Sequence, residues 1–244
     1  MSLQPYWEER LHAAVQHFWL TRGNQARRQG VKTGARDAGN RTAVTGGKQM
    51  DKFVELVRDY LIECKVAAAC IFCSKSVELP GWFRAEKKWD LLVVVESQLV
   101  AAMEFKSQAG SFGNNFNNRT EESLGSATDI WTAYREGAFA ISQRPWLGYV
   151  MVLEEAARST NPVGVKEPHF PVFPEFREAS YAKRYEIMMT KLVRERLYDS
   201  ATLLLSSPSS SEDGGYRHPS AELNFESLLT SLKARAMAIT GATN

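Results

Sequence analysis

The chain has 244 residues, 30 basic against 28 acidic side chains, a formal net charge of +2 and 44% hydrophobic residues. That balance excludes a largely disordered chain and an overall basic one, so any nucleic-acid footprint has to come from local clustering. No apolar run approaches the roughly 20 residues of a membrane span. The first ten residues lack a secretory pattern, and three cysteines make no disulfide framework, so a reducing, cytoplasmic setting is expected.

Trp7, Leu11, Ala14, Val15 and Phe18 recur at helical spacing and predict an N-terminal helix. From Arg22 to Lys48 seven basic residues stand against one acid, with six glycines between them, and this predicts a basic loop or arm. Met50, Phe53, Val54, Val57, Tyr60 and Leu61 mark an amphipathic helix. Val66 to Ser74 reads as a buried strand or short helix, with Cys70 and Cys73 as buried thiols because no second ligand pair accompanies them. Trp89 to Val95 and Leu99 to Ser107 form a hairpin about a turn at Glu96-Ser97-Gln98. Ala109 to Asn118, with its Gly and Asn residues, predicts a loop, and Thr120 is the expected N-cap of the helix that follows. A strand over 147–153, a Pro-containing loop over 158–177, a helix through Tyr181, Tyr185, Met188 and Leu192, and a strand over 201–205 come next. A mobile Ser/Pro/Gly-rich loop over 206–219 and a last helix from Phe225 complete the chain. The alternation predicts an α/β fold with a mixed central sheet flanked by helices. One domain over 1–244 is expected, with the first helix and arm, about 1–48, decorating its core.

The chemistry concentrates in the hairpin. Glu104 and Lys106 share one strand face, Met103 and Phe105 the other, and Asp90 enters the neighbouring strand close to Glu104. Two converging carboxylates make a hard-oxygen site suited to Mg²⁺, and a lysine beside them can position or deprotonate a water, or hold phosphate charge. The same residues also suit a solvated strand face with a surface salt bridge.

Asp followed by Glu-x-Lys on adjacent strands resembles the PD-(D/E)xK nuclease superfamily, with Trp89 in place of its Pro. The likeness extends further. Lys87-Lys88-Trp89-Asp90-Leu91-Leu92-Val93, Met103 to Gln108, Gly113 to Arg119, Glu121 to Gly125 and Phe176 to Tyr181 resemble the XhoI family of type II restriction endonucleases. The resemblance implies a restriction-endonuclease-like core with Asp90, Glu104 and Lys106 as catalytic residues. It implies Mg²⁺ held by Asp90, Glu104 and the Phe105 backbone carbonyl, with Glu55 as a candidate further ligand. It implies double-strand cleavage of DNA at CTCGAG after the first C, leaving 5′-overhangs, by a homodimer that matches the palindrome. A companion methyltransferase in the same bacterial cytoplasm would protect the host.

For DNA contact, Asn114, Asn115, Asn117, Asn118 and Arg119 supply the side-chain types that read base edges. Arg27, Arg28, Lys32 and Arg36 of the arm suit phosphates. Two alternatives stay open at this point: a structure-specific repair or recombination nuclease of the same superfamily, and a DNA-binding protein without catalysis.

Overall fold

A computed structural model describes residues 3–33, 48–139 and 142–240, of which 25–33 and 240 by backbone alone. Five strands form one mixed sheet in the order β1-β4-β5-β6-β7: β1 (Ile71–Cys73), β4 (Leu91–Val95), β5 (Gln98–Gln108), β6 (Trp146–Glu154) and β7 (Ser200–Ser206). β1, β4 and β5 pair antiparallel, while β5, β6 and β7 run parallel. β2 (Glu78–Pro80) and β3 (Glu86–Lys88) make a separate small hairpin.

Helices cover both sheet faces. On one side lie α1 (Pro5–Thr33), α2 (Asp51–Glu63) and α5 (Phe225–Thr240), which bury Leu11, Phe18, Phe53 and Leu228 against Met103, Phe105, Val150 and Leu204. On the other lie α3 (Phe112–Arg135) and α4 (Tyr181–Arg194), whose Ala127, Ile130, Tyr185 and Met189 pack on Ala102, Tyr149, Met151 and Leu203. β6, enclosed on both faces, is therefore a near-continuous apolar run, as expected of a central parallel strand. No described helix is long and apolar enough to cross a membrane.

The helix and strand pattern follows from local chemistry. Pro5 starts α1, where a missing N–H costs nothing, and Trp7, Leu11, Ala14, Val15 and Phe18 are all buried. Leu56 joins Phe53, Val57 and Leu61 in the buried stripe of α2, while Val54 and Tyr60 reach only its margin. Glu96 and Ser97, both at positive φ (49° and 63°), make the two-residue turn between β4 and β5.

Several expectations are corrected. The predicted arm does not begin at Arg22: α1 continues to Thr33, so Arg27, Arg28 and Lys32 ride on helical backbone. Their side chains, and Arg36 altogether, lie outside the described residues. The Asn-rich segment is not a loop, because α3 starts at Phe112. Phe112 and Phe116, one helical turn apart, pack on Tyr181 and Tyr185 with ring centroids 6.2 and 5.2 Å away. Burial of an aromatic ring contributes about 1.5–3 kcal/mol, more than the fraction of a kcal/mol by which each Asn disfavours a helix. Thr120 is consequently not an N-cap; its hydroxyl donates to the Phe116 carbonyl within the helix, and left-handed Ser111 precedes the first turn.

In 66–74 only Val66 and Ile71 are buried; Ala67 to Ala69 face solvent, and the cysteines are free and half-buried. The 206–219 segment is docked on α1 instead of hanging free. Trp19 Nε1 donates to Ser206 Oγ at 2.8 Å, Gln16 Nε2 donates to the Glu212 carbonyl at 2.9 Å, and His12 Nδ1 meets the Gly214 carbonyl at 3.0 Å.

Candidate active site

The site exists because β5 outlasts β4. Pairing between them ends at Leu91 and Met103, while β5 runs on to Gln108 alongside β6. Glu104, Phe105 and Lys106 thus occupy strand backbone whose β4 edge is open. Asp90 stands at the point of departure. Its N–H donates to the Met103 carbonyl at 3.2 Å, and its Oδ2 accepts the Phe105 N–H at 2.7 Å. The carboxylate thereby replaces the missing strand carbonyl and is fixed beside Glu104 and Lys106.

The cleft has a volume of about 610 Å³ and is lined by Asp90, Phe105 and Lys106, with Glu55, Asp51 and Cys73 across from them and Arg119 at the side. Lys106 Nζ lies 3.6 Å from Glu104 Oε2 and 3.9 Å from Asp90 Oδ2, so one ammonium group bridges both acids. Lys87, arriving on β3, forms an ion pair with Glu104 Oε1 and sits 4.4 Å from the centre of the Trp89 ring.

Glu104 is 1% exposed. Burial works against its charge, but Lys106 and Lys87 outweigh that and hold the carboxyl below the usual range. Asp90 goes the other way: burial raises it, with Lys106 and the Phe105 N–H only partly compensating. For Lys106, burial disfavours the ammonium form, but Glu104 and Asp90 more than offset it and keep the amine charged. Burial pushes the Cys73 thiol up to about 11.

Both Glu104 oxygens are buried, with Lys87 on one and Lys106 3.6 Å from the other. Two such carboxylate oxygens beside Asp90 are a donor set that fits a hard divalent cation. No group of three His, Cys, Asp or Glu side chains converges among the described residues, which leaves remaining positions to backbone, water and substrate. Glu55 lines the same cleft but is engaged by Lys52 at 2.5 Å and does not join the Asp90–Glu104 pair.

The residues expected to read DNA divide into two groups. Asn114, Asn117 and Asn118, at i, i+3 and i+4 of α3, form one exposed face, with Asn115 half-buried at its edge. Arg119 turns inward, pairs with Glu122 and lines the cleft. Its buried Nε has no hydrogen-bond partner among the described residues. Sequence reasoning missed Lys87 as the partner of Glu104; its place three residues before Asp90 was the available signal.

The chain matches the family model described as restriction endonuclease XhoI over residues 29–218. It is 54% identical to the type II restriction enzyme BstVI of Geobacillus stearothermophilus over 203 residues, covering 81% of this chain and 91% of that enzyme. Identity is 40% over 182 residues with the type II restriction enzyme XhoI of Xanthomonas vasicola, covering 73% and 72% of the two chains. With the type II restriction enzyme AbrI of Azospirillum brasilense it is 46% over 166 residues, covering 67% and 74%. No solved structure matches the chain. A five-stranded mixed sheet flanked by helices, carrying acidic and basic side chains where two strands part, agrees with these matches: the chain belongs to the XhoI family of restriction endonucleases, which are type II site-specific deoxyribonucleases.

Proposed function

We propose that the protein cuts both strands of DNA at the palindrome CTCGAG, after the first C, in a Mg²⁺-dependent reaction that leaves 5′-overhangs. The observation that carries the catalytic part of this reading is the meeting of Lys106 with both Asp90 and Glu104 where β4 leaves β5, at a cleft that Asp90 and Lys106 line. Membership of the family supports site-specific cleavage.

Asp90, Glu104 and the Phe105 carbonyl are the groups that would hold Mg²⁺. When bound, the cation would supply positive charge against the phosphate and lower the pKa of a water. Lys106 then orients the attacking water by a hydrogen bond and balances charge on the phosphate as it builds. The water oxygen forms a new bond to phosphorus in line with the departing 3′-oxygen. The bond between phosphorus and that oxygen breaks, the phosphate stays on the 5′-end, the attacking water gives up its proton to solvent, and the departing 3′-oxygen takes one from solvent. Lys87 keeps Glu104 charged throughout, and Glu55 enters the ligand set only by turning away from Lys52.

Asn114, Asn117 and Asn118 suit adenine edges in the major groove, with Asn115 at the margin of that face. Arg119 suits the phosphate in the cleft, and Arg27, Arg28, Lys32 and Arg36 suit the flanking backbone. A palindromic target fits a two-fold homodimer in which each copy cuts one strand. A methyltransferase of the same specificity protects the host, and the setting is the bacterial cytoplasm.

The test is a digest of a plasmid with one CTCGAG and of a copy with that sequence altered, in Mg²⁺ and in EDTA, followed by sequencing of the ends. A single Mg²⁺-dependent cut in the first plasmid alone is expected. Cutting at another sequence would overturn the target, and absence of cutting would overturn the activity.

A further inference from the structure

The β2–β3 hairpin has three residues on each strand, and its connection carries two aromatic rings in solvent: Trp82 is 53% and Phe83 is 70% exposed. An isolated two-stranded hairpin is marginal, so something else must hold this tip. That element is Asp129 of α3, a buried carboxylate. Its Oδ1 accepts the backbone N–H groups of Trp82 and Phe83 at 2.8 and 2.9 Å, and its Oδ2 accepts Arg84 Nε at 2.7 Å. The chain wraps so closely that a Cβ on Gly81 would lie 2.6 Å from Asp129 Oδ2. The backbone beneath the rings is therefore fixed while the rings themselves join no core. Stability alone does not explain a buried carboxylate spent on a tip that buries neither ring.

The tip also stands beside a recess that shares Lys106 and Arg119 with the cleft. Arg84 lines that recess together with Lys87, Glu104, Lys106 and Arg119. β3 carries Lys87 to Glu104 and continues through Trp89 into Asp90. Four cations, Arg84, Lys87, Lys106 and Arg119, line this recess against three acids, Glu104, Glu121 and Glu122, which favours a polyanion as the occupant.

We propose that the Trp82–Phe83 tip is a DNA-contacting element that lays its rings against bases or sugars next to the scissile phosphate. The inference rests on duplex DNA being the substrate, as proposed above. Aromatic side chains grip nucleic acid by stacking or by wedging into a base step, and they do so without adding to the phosphate charge count. This sets the tip apart from Arg84, whose contribution is electrostatic.

The experiment titrates a fluorescently labelled CTCGAG duplex with native protein and with the double variant Trp82→Ala, Phe83→Ala. Anisotropy is read with Ca²⁺ in place of Mg²⁺ across a salt series, and the free proteins are compared by sedimentation and thermal melting. The double variant should bind about tenfold or more weakly per ring removed. Its slope of log affinity against log salt, its sedimentation and its melting temperature should match the native protein. Trp82→Phe, which keeps a ring, should retain most of the affinity. Unchanged affinity in the double variant overturns the proposal while leaving the nuclease reading intact. Loss of self-association overturns it in favour of an interface between copies. Failure of the native protein to bind the duplex overturns the substrate reading and the tip's partner with it.

Discussion

Replacing Lys87 by Met tests the electrostatics of the site directly. Glu104 is 1% exposed and has two cationic neighbours, Lys87 on one oxygen and Lys106 at 3.6 Å from the other. At an effective dielectric constant of about 20, Lys106 alone supplies about 5 kcal/mol of Coulomb attraction to Glu104 before desolvation is charged against it. It is also shared with Asp90 at 3.9 Å, so it does not replace Lys87 in full. Removing one partner of a buried pair costs about 3–5 kcal/mol, and the remaining cation places Lys87→Met near the lower end, about 3 kcal/mol. The loss must depend on pH. The folded carboxyl of Glu104 lies below its usual value of 4.5, so its stabilisation is present above about pH 4.5 and is lost as pH falls through the folded value. Without Lys87 the folded value rises, and the gap between native and variant stability is widest at neutral pH and narrows in acid. Urea unfolding at pH 7, 5.5 and 4.5 measures this. A gap under about 0.5 kcal/mol at pH 7, or one that does not narrow towards pH 4.5, refutes the reasoning. Mg²⁺ should also restore more stability to the variant than to the native chain, because it supplies charge where Lys87 was removed.

His218 predicts a second pH dependence. Its Nδ1 lies 3.0 Å from the Leu203 carbonyl and its Nε2 accepts the Phe225 N–H at 3.4 Å, an arrangement that requires the neutral ring. Burial lowers its folded value below 6.5, against the pull of the Leu203 carbonyl, so the unfolded chain takes the proton first. Stability should hold above about pH 6.5 and decline below it, by about 1.4 kcal/mol for each pH unit until the folded ring also takes a proton. His218→Gln should remove that decline from the unfolding curves. Gly214→Ala should destabilise by more than about 2 kcal/mol in urea, since φ is +72° and the new Cβ would lie 2.1 Å from the His12 carbonyl oxygen. Asn118→Ala, on the exposed face of α3, should leave stability within about 0.5 kcal/mol but relax discrimination at an A·T pair by about 1–3 kcal/mol, read from cleavage of single-base variants of the site.

The sheet was legible where side chains alternate or run apolar: the β4–β5 hairpin, β6 and β7 follow directly from their residues. So does the meeting of Asp90, Glu104 and Lys106, because strand pairing converts sequence spacing into proximity. The Asn-rich start of α3 was not legible as helix, since Asn at that density mimics a turn. The deciding residues are Phe112 and Phe116, whose partners Tyr181 and Tyr185 lie about 70 residues away in the chain. The β2–β3 hairpin escaped for a different reason: with three-residue strands of mixed charge it has no pattern of its own, and its anchor is a distant buried carboxylate. The extension of α1 to Thr33 overrode Gly23, which stands mid-helix with open space around it.

The central claim is that Asp90, Glu104 and Lys106 perform the cleavage. Single-turnover cleavage of a CTCGAG duplex by Asp90→Asn, Glu104→Gln and Lys106→Ala, with duplex affinity measured in parallel, tests it most directly. The account predicts cleavage rates lowered by about a thousandfold or more, with affinity held within a few-fold of native. A Glu104→Gln protein that binds and cuts at the native rate would contradict it.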